Sequence, residues 1–305
     1  MSLLLFAAAC QPAAVTPSAV PTVAPTLAPT QAPAIAPTAS PLPAASPTVP
    51  PTSPPSPTPV LAAMQLDEWS QPSPDGLWIA SGLAALPGKE GVTLYYARLS
   101  VARVGGGQEW IVVDEWRPTG LGWTSPAPLR WSADGSAFYF TNLPHPDGCS
   151  VLTNGVDLHR LDLATGEVTE LLPEVGLWIS LSPDESQVAY IAFGDRGLVT
   201  RDLATGAESA AFLDLPALDA QAGAIVWSPD AGRLALTLVQ NACSSDSQRH
   251  SILVLDLASS TLTTVLDQDL SQFITSAWPE PDRLRLTSPL GAYWLDLTTG
   301  ELTAA

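Results

Sequence analysis

The sequence predicts an all-β protein, a β-propeller of five four-stranded blades, and three observations carry that expectation. One phrase recurs along the chain: HRLDLATGEVTELL around Asp162, VTRDLATGAESAAF around Asp202, LVLDLASSTLTTVL around Asp256 and YWLDLTTGELTAA around Asp296. A second phrase precedes each copy: RWSADGSAFYF, SLSPDESQVAYIA, VWSPDAGRLALTL and AWPEPDRLRLTSP. Between them lie only short alternating or apolar runs and tight turns. A period of about 40–50 residues built from such parts is the mark of a propeller or a related array.

The third repeat shows how each element is justified. GLWISLS is an apolar strand ending at Ser182, and Pro183-Asp184-Glu185 is a turn whose proline has the fixed φ that the position needs. QVAYIAF is β-rich and alternating, so it is the second strand. Gly194 to Gly197 form a short loop, LVTRDL is the third strand, and Ala204-Thr205-Gly206 turn tightly into the fourth, Glu208 to Asp214. The same template places blades at about 66–118, 128–174, 176–216, 224–269 and 274–305. Residues 60–66 supply one strand at most, and they are expected to close the ring by pairing with the last blade, since an open ring leaves a bare sheet edge.

The turn phrases Ser73-Pro74-Asp75-Gly76, Ser132-Ala133-Asp134-Gly135, Ser182-Pro183-Asp184 and Ser228-Pro229-Asp230, with the DLATG-like phrases, resemble the TolB-like propeller repeat, which is sometimes grouped with WD-type repeats. The resemblance covers nearly all of 66–305. It implies a fold more than a function, because relatives include periplasmic scaffold proteins and the non-catalytic propellers of some peptidases. This chain departs from the family's usual six or more blades, and no attached hydrolase domain is expected.

Domain organisation follows from composition: residues 1–10 are a signal-like segment, 11–60 a linker and 61–305 the propeller. From Met1 to Leu66 there is no charged residue, and Gln11 to Pro59 is almost entirely Pro, Thr, Ala, Ser and Val. Such a stretch has no aromatic groups to bury, and its prolines withhold backbone donors, so a disordered, polyproline-like tether is expected. At ~3.1 Å per residue it reaches on the order of 100 Å. MSLLLFAAACQ resembles the end of a bacterial lipoprotein signal peptide, with Ala7 to Ala9 at the cleavage site and Cys10 as the lipidated residue. It departs from that pattern by Ala7 in place of the usual Leu and by the missing positive n-region, which a start upstream of Met1 would supply. The resemblance implies a lipoprotein on the extracytoplasmic side of a bacterial cell envelope, touching the membrane through its lipid alone.

The net charge of -18 is concentrated in the folded part, where Lys89 is the sole lysine. Nucleic acid is therefore not an expected partner, because binding it requires clustered Lys and Arg. A monomer is expected.

Residues repeated in every blade serve the blade. Asp162, Asp202, Asp256 and Asp296 precede tight turns and are expected to accept backbone N–H groups there. Trp131, Trp227 and Trp278 occupy one blade position, with Leu181 in the third blade, as inter-blade packing would require.

The informative residues break the repeat. The loop between second and third strands is short in blades three and five but long in blade two (LPHPDGCSVLTNGVD) and blade four (QNACSSDSQRHS). Each long loop holds one cysteine, and an exported protein with two such cysteines is expected to bridge Cys149 to Cys243. The bridge would clamp both loops, contributing about 4 kcal/mol in the chain-entropy picture. The same loops hold His145, Asp147, Asp246, Arg249 and His250, candidates for a polar ligand or a metal, although solvated loop residues are the commoner case without an H-x-x-x-H spacing. His159 lies on a strand and reads as part of a blade face.

No G-x-S-x-G elbow, H-E-x-x-H helix, phosphate loop or EF-type loop is present, so no cofactor or metal is expected. The functional expectation is a non-catalytic binding or scaffold module for an envelope protein, peptide or glycan. The alternative is a propeller-type glycoside hydrolase or lyase; many carboxylates are available but no pair is singled out.

Overall fold

The computed structural model describes residues 64–87, 93–120, 122–145, 148–193, 197–213, 219–244, 246–269 and 272–305. The signal-like segment with Cys10 and the expected tether lie outside these residues. The described chain forms five antiparallel four-stranded sheets, the blades of a β-propeller. Blade 1 comprises β1 (Met64–Pro72), β2 (Trp78–Pro87), β3 (Leu94–Arg103) and β4 (Glu109–Pro118). Blade 2 comprises β5 (Thr124–Trp131), β6 (Ala137–Pro144), β7 (Leu158–Asp162) and β8 (Val168–Leu172). Blade 3 comprises β9 (Gly176–Leu181), β10 (Gln187–Ala192), β11 (Gly197–Asp202) and β12 (Glu208–Phe212). Blade 4 comprises β13 (Gln221–Trp227), β14 (Arg233–Gln240), β15 (Arg249–Asp256) and β16 (Thr261–Asp269). Blade 5 comprises β17 (Ile274–Glu280), β18 (Arg283–Ser288), β19 (Gly291–Asp296) and β20 (Leu302–Ala304).

Sequence chemistry explains the layering. Where a blade has a neighbour on either side, its middle strands are covered on both faces and read as apolar runs: β10 is buried from Val188 to Ile191 and β14 from Leu234 to Val239. Separate apolar layers fill successive inter-blade spaces. Leu99 and Val101 of blade 1 meet Trp131, Phe138 and Leu161 of blade 2. Tyr139 and Leu158 meet Ile179 and Val188 between blades 2 and 3. Ile191 and Leu198 meet Trp227 and Leu236 between blades 3 and 4. Ile252 and Val254 meet Trp278, Leu284 and Leu295 between blades 4 and 5. Trp227 Nε1 also donates to the Ser180 carbonyl at 3.0 Å, fixing blade 4 against blade 3. Pro126 and Pro128 fall in β5, an edge strand that pairs only with β6, where a missing N–H is tolerated. Gly82 has no Cβ because the Trp69 indole occupies that space.

One expectation is corrected. Met64 to Leu66 do not pair with the last blade: they pair with Ala85 to Pro87 inside blade 1, in one continuous register running to Pro72. Their backbone groups are satisfied by β2, so they extend the first strand. Residues 60–63 lie outside the described residues.

Candidate functional site

The turns that frame the blades use their polar residues locally. Asp162 Oδ1 accepts from Ala164 N and Thr165 N, each at 3.0 Å. Asp202, Asp256 and Asp296 accept from turn N–H groups in the same manner. In the Ser-x-Asp turns the serine donates to the aspartate, as Ser182 does to Asp184 at 2.6 Å, and accepts from a backbone N–H, here Gln187 N at 2.9 Å. These carboxylates build turns.

The loops that break the repeat make a different surface. Cys149 and Cys243 form a disulfide with Cα atoms 4.6 Å apart. It ties the long loop of blade 2 to that of blade 4. The segment from Cys149 to Thr153 becomes a strap, and Gln221 of β13 pins it further. Gln221 Nε2 donates to the Cys149 carbonyl at 2.7 Å, while Oε1 accepts from Val151 N at 3.0 Å and Leu152 N at 3.4 Å. Leu152 anchors the strap in an apolar cluster with Ala224, Val239 and Ala242.

Ser150, Leu152 and Thr153 line one cavity, and Val151 lines another. The first cavity holds about 310 Å³, and His145, Glu174, Leu177 and Phe193 also line it. Leu177 and Phe193 are 39% and 44% exposed, large apolar groups left open to solvent. The Thr153 hydroxyl is buried without a hydrogen-bond partner. Glu174 is the one carboxylate among the lining residues. The His145 ring stacks on Trp123, 3.4 Å between centroids, and its Nε2 lies 3.2 Å from Ser125 Oγ. Burial pushes the His145 pKa down, and the Asp67 charge opposes this only in part, so the imidazole is neutral at pH 7. Beneath this loop Asp157 is buried; burial raises its pKa, but hydrogen bonds from His159 and Asn142 outweigh that and hold it below the usual carboxylate range. His159 Nε2 sits 3.1 Å from that carboxylate, and the ring stacks on Phe140, so this histidine belongs to the blade.

The second cavity, of about 350 Å³, lies on the blade 4 and 5 side of the strap, where His250, Gln248, Gln272 and Thr287 line it. His145 and His250 thus line different cavities. Arg249 is committed to Asp267 of β16 through Nε and Nη2. Asp246 is exposed, and Asp147 lies outside the described residues. Among the described residues no group of three or more His, Cys, Asp or Glu is placed to hold a metal ion. Gln221, Glu174, Phe193 and Thr153 were not singled out in the sequence. Only Phe193 had a signal there, an aromatic residue at the very end of an apolar strand.

The class of protein defined here is a five-bladed β-propeller with a disulfide-clamped loop face. No family model and no curated protein matches the chain. Among solved structures it resembles a Mycobacterium tuberculosis puromycin-hydrolyzing peptidase, with 19% identity and a TM-score of 0.51 over 80% of this chain and 38% of that protein. It also resembles an oligogalacturonate lyase in complex with manganese, with 15% identity and a TM-score of 0.45 over 78% of this chain and 59% of the lyase. TolB from Acinetobacter baumannii is 14% identical, with a TM-score of 0.35 over 79% of this chain and 65% of TolB. At these identities the likeness is one of fold, and the chain spans only part of the peptidase and the lyase.

Proposed function

We propose that this protein is a non-catalytic binding module, held by a lipid on Cys10 at the extracytoplasmic side of a bacterial envelope, and that its clamped loop face takes a segment of an envelope protein or peptide. The observation that carries the reading is the first cavity. Exposed Leu177 and Phe193 offer apolar contact, the orphaned Thr153 hydroxyl offers an unmet hydrogen bond, and Glu174 favours a positively charged neighbour. A strap fixed by a disulfide and Gln221 keeps this surface preorganised, which lowers the entropy cost of binding. The lipoprotein-like N-terminus supports the location.

The test is in-cell cross-linking of the full chain against Phe193→Glu. A defined partner lost in the variant supports the reading, and an unchanged cross-link pattern overturns it. Replacing Cys10 with Ser should move the protein from membrane to soluble fractions; retention in membranes would refute lipid anchoring. The enzymatic alternative needs two carboxylates flanking a glycosidic bond, and the described lining has Glu174 alone. Turnover of a glycan that Glu174→Gln abolishes would replace the binding reading.

A further inference from the structure

We propose that the second cavity, beside His250, is a separate binding site for a neutral, hydroxyl-rich ligand, a short saccharide. His250 is only 4% exposed. Its Nδ1 lies 3.2 Å from the Phe273 carbonyl, a contact that only a protonated Nδ1 makes favourable. In the neutral ring Nε2 is then a lone-pair acceptor, and that atom is buried with no hydrogen-bond partner. A buried acceptor left unmet costs free energy, and a cavity of about 350 Å³ adjoins the ring, at the lower end of the range for small-molecule sites.

The lining selects the chemistry. Val151, Gln248, Gln272, Thr287 and Ser288 surround His250, and no residue of the lining bears a formal charge. A charged ligand would lose its hydration with no counter-charge to replace it. Gln248 Nε2 is already held by the Ala242 carbonyl at 2.9 Å, which leaves its Oε1 as a fixed acceptor. Ser288 Oγ accepts from Leu290 N at 3.1 Å and keeps its proton to donate. A site that both accepts and donates through neutral side chains matches sugar hydroxyls, which do both. The strap contributes Val151 as one wall, so the disulfide shapes this site as well as the first. The proposal does not depend on the peptide reading of the first cavity.

The experiment titrates the full chain with maltotriose, cellotriose and chitotriose, followed by saturation-transfer NMR and calorimetry. At least one should bind with a Kd below about 10 mM. His250→Phe, which keeps the ring and removes the acceptor, should weaken that binding about 10-fold, as should Ser288→Ala. If His250→Phe fails to fold, Thr287→Val and Ser288→Ala read the same loss. Three outcomes overturn the proposal: no trisaccharide binds, so that an ordered water alone serves Nε2; binding persists unchanged in the variants; or binding is lost on Phe193→Glu instead, which would put the sugar in the first cavity.

Discussion

Asp162 and His145 are both polar residues near loops, yet they play opposite roles, and hydrogen-bond partners and burial explain why. Asp162 lies at a turn, and hydrogen bonds from Thr165 hold its carboxyl below the usual range. Asp134 is lowered further, to about 2, chiefly by the Ser136 backbone N–H and the Ser132 hydroxyl. His145 and His250 are shifted by burial, which pushes both below the ordinary histidine value of 6.5. The sign follows from linkage. On acidification the unfolded chain takes up protons on these histidines before the folded chain does, so stability falls as pH drops below 6.5 toward the folded values. A second loss begins lower, as pH falls below 3.8 and the turn aspartates protonate first in the unfolded chain. Urea midpoints measured from about pH 7.5 down to about pH 5 should therefore decline. The double variant His145→Gln, His250→Gln should flatten that slope and leave the acid loss in place. An unaltered slope would show that other groups carry it.

At the scale of elements, the strap is the feature with consequences. Its disulfide closes a sequence separation of 94 residues. Replacing both cysteines with serine should lower unfolding free energy by about 4 to 5 kcal/mol in the chain-entropy picture, read by urea denaturation. A drop of under about 1 kcal/mol would mean that the blades alone hold the loops. Gln221→Ala should cost less, about 1 kcal/mol, because Val151 and Leu152 lose one acceptor while the bridge stays. Two blades with long loops were legible in the sequence because a regular repeat exposes its own interruptions. The pinning by Gln221 was not legible, since a glutamine opening a strand carries no motif.

For the whole molecule, the described core consists of layers between blades, and a defect in one layer is felt by two blades. Trp227 is 5% exposed and bridges the third and fourth blades. Trp227→Ala should cost about 3–5 kcal/mol through the cavity it leaves. Far-UV dichroism and tryptophan fluorescence should still report one shared transition at a lower denaturant midpoint. Two separated transitions would show that the blades unfold as independent groups.

The five blades and the structural role of the repeated aspartates and tryptophans follow from the sequence alone, because each rests on local chemistry repeated at a fixed period: turn formers, β-rich runs and one packing position. How the loops divide space was decided only in three dimensions. The sequence grouped His145 and His250 as one constellation, whereas the fold sets them in different cavities. It sent residues 60–66 toward the last blade, whereas β2 satisfied the backbone of Met64 to Leu66 at shorter range. Period and propensity act between near neighbours. Cavity walls, orphaned polar atoms and the alternating faces of a strap depend on residues more than 70 positions apart, as in the hold of Gln221 on Cys149, and only the packed chain brings these together.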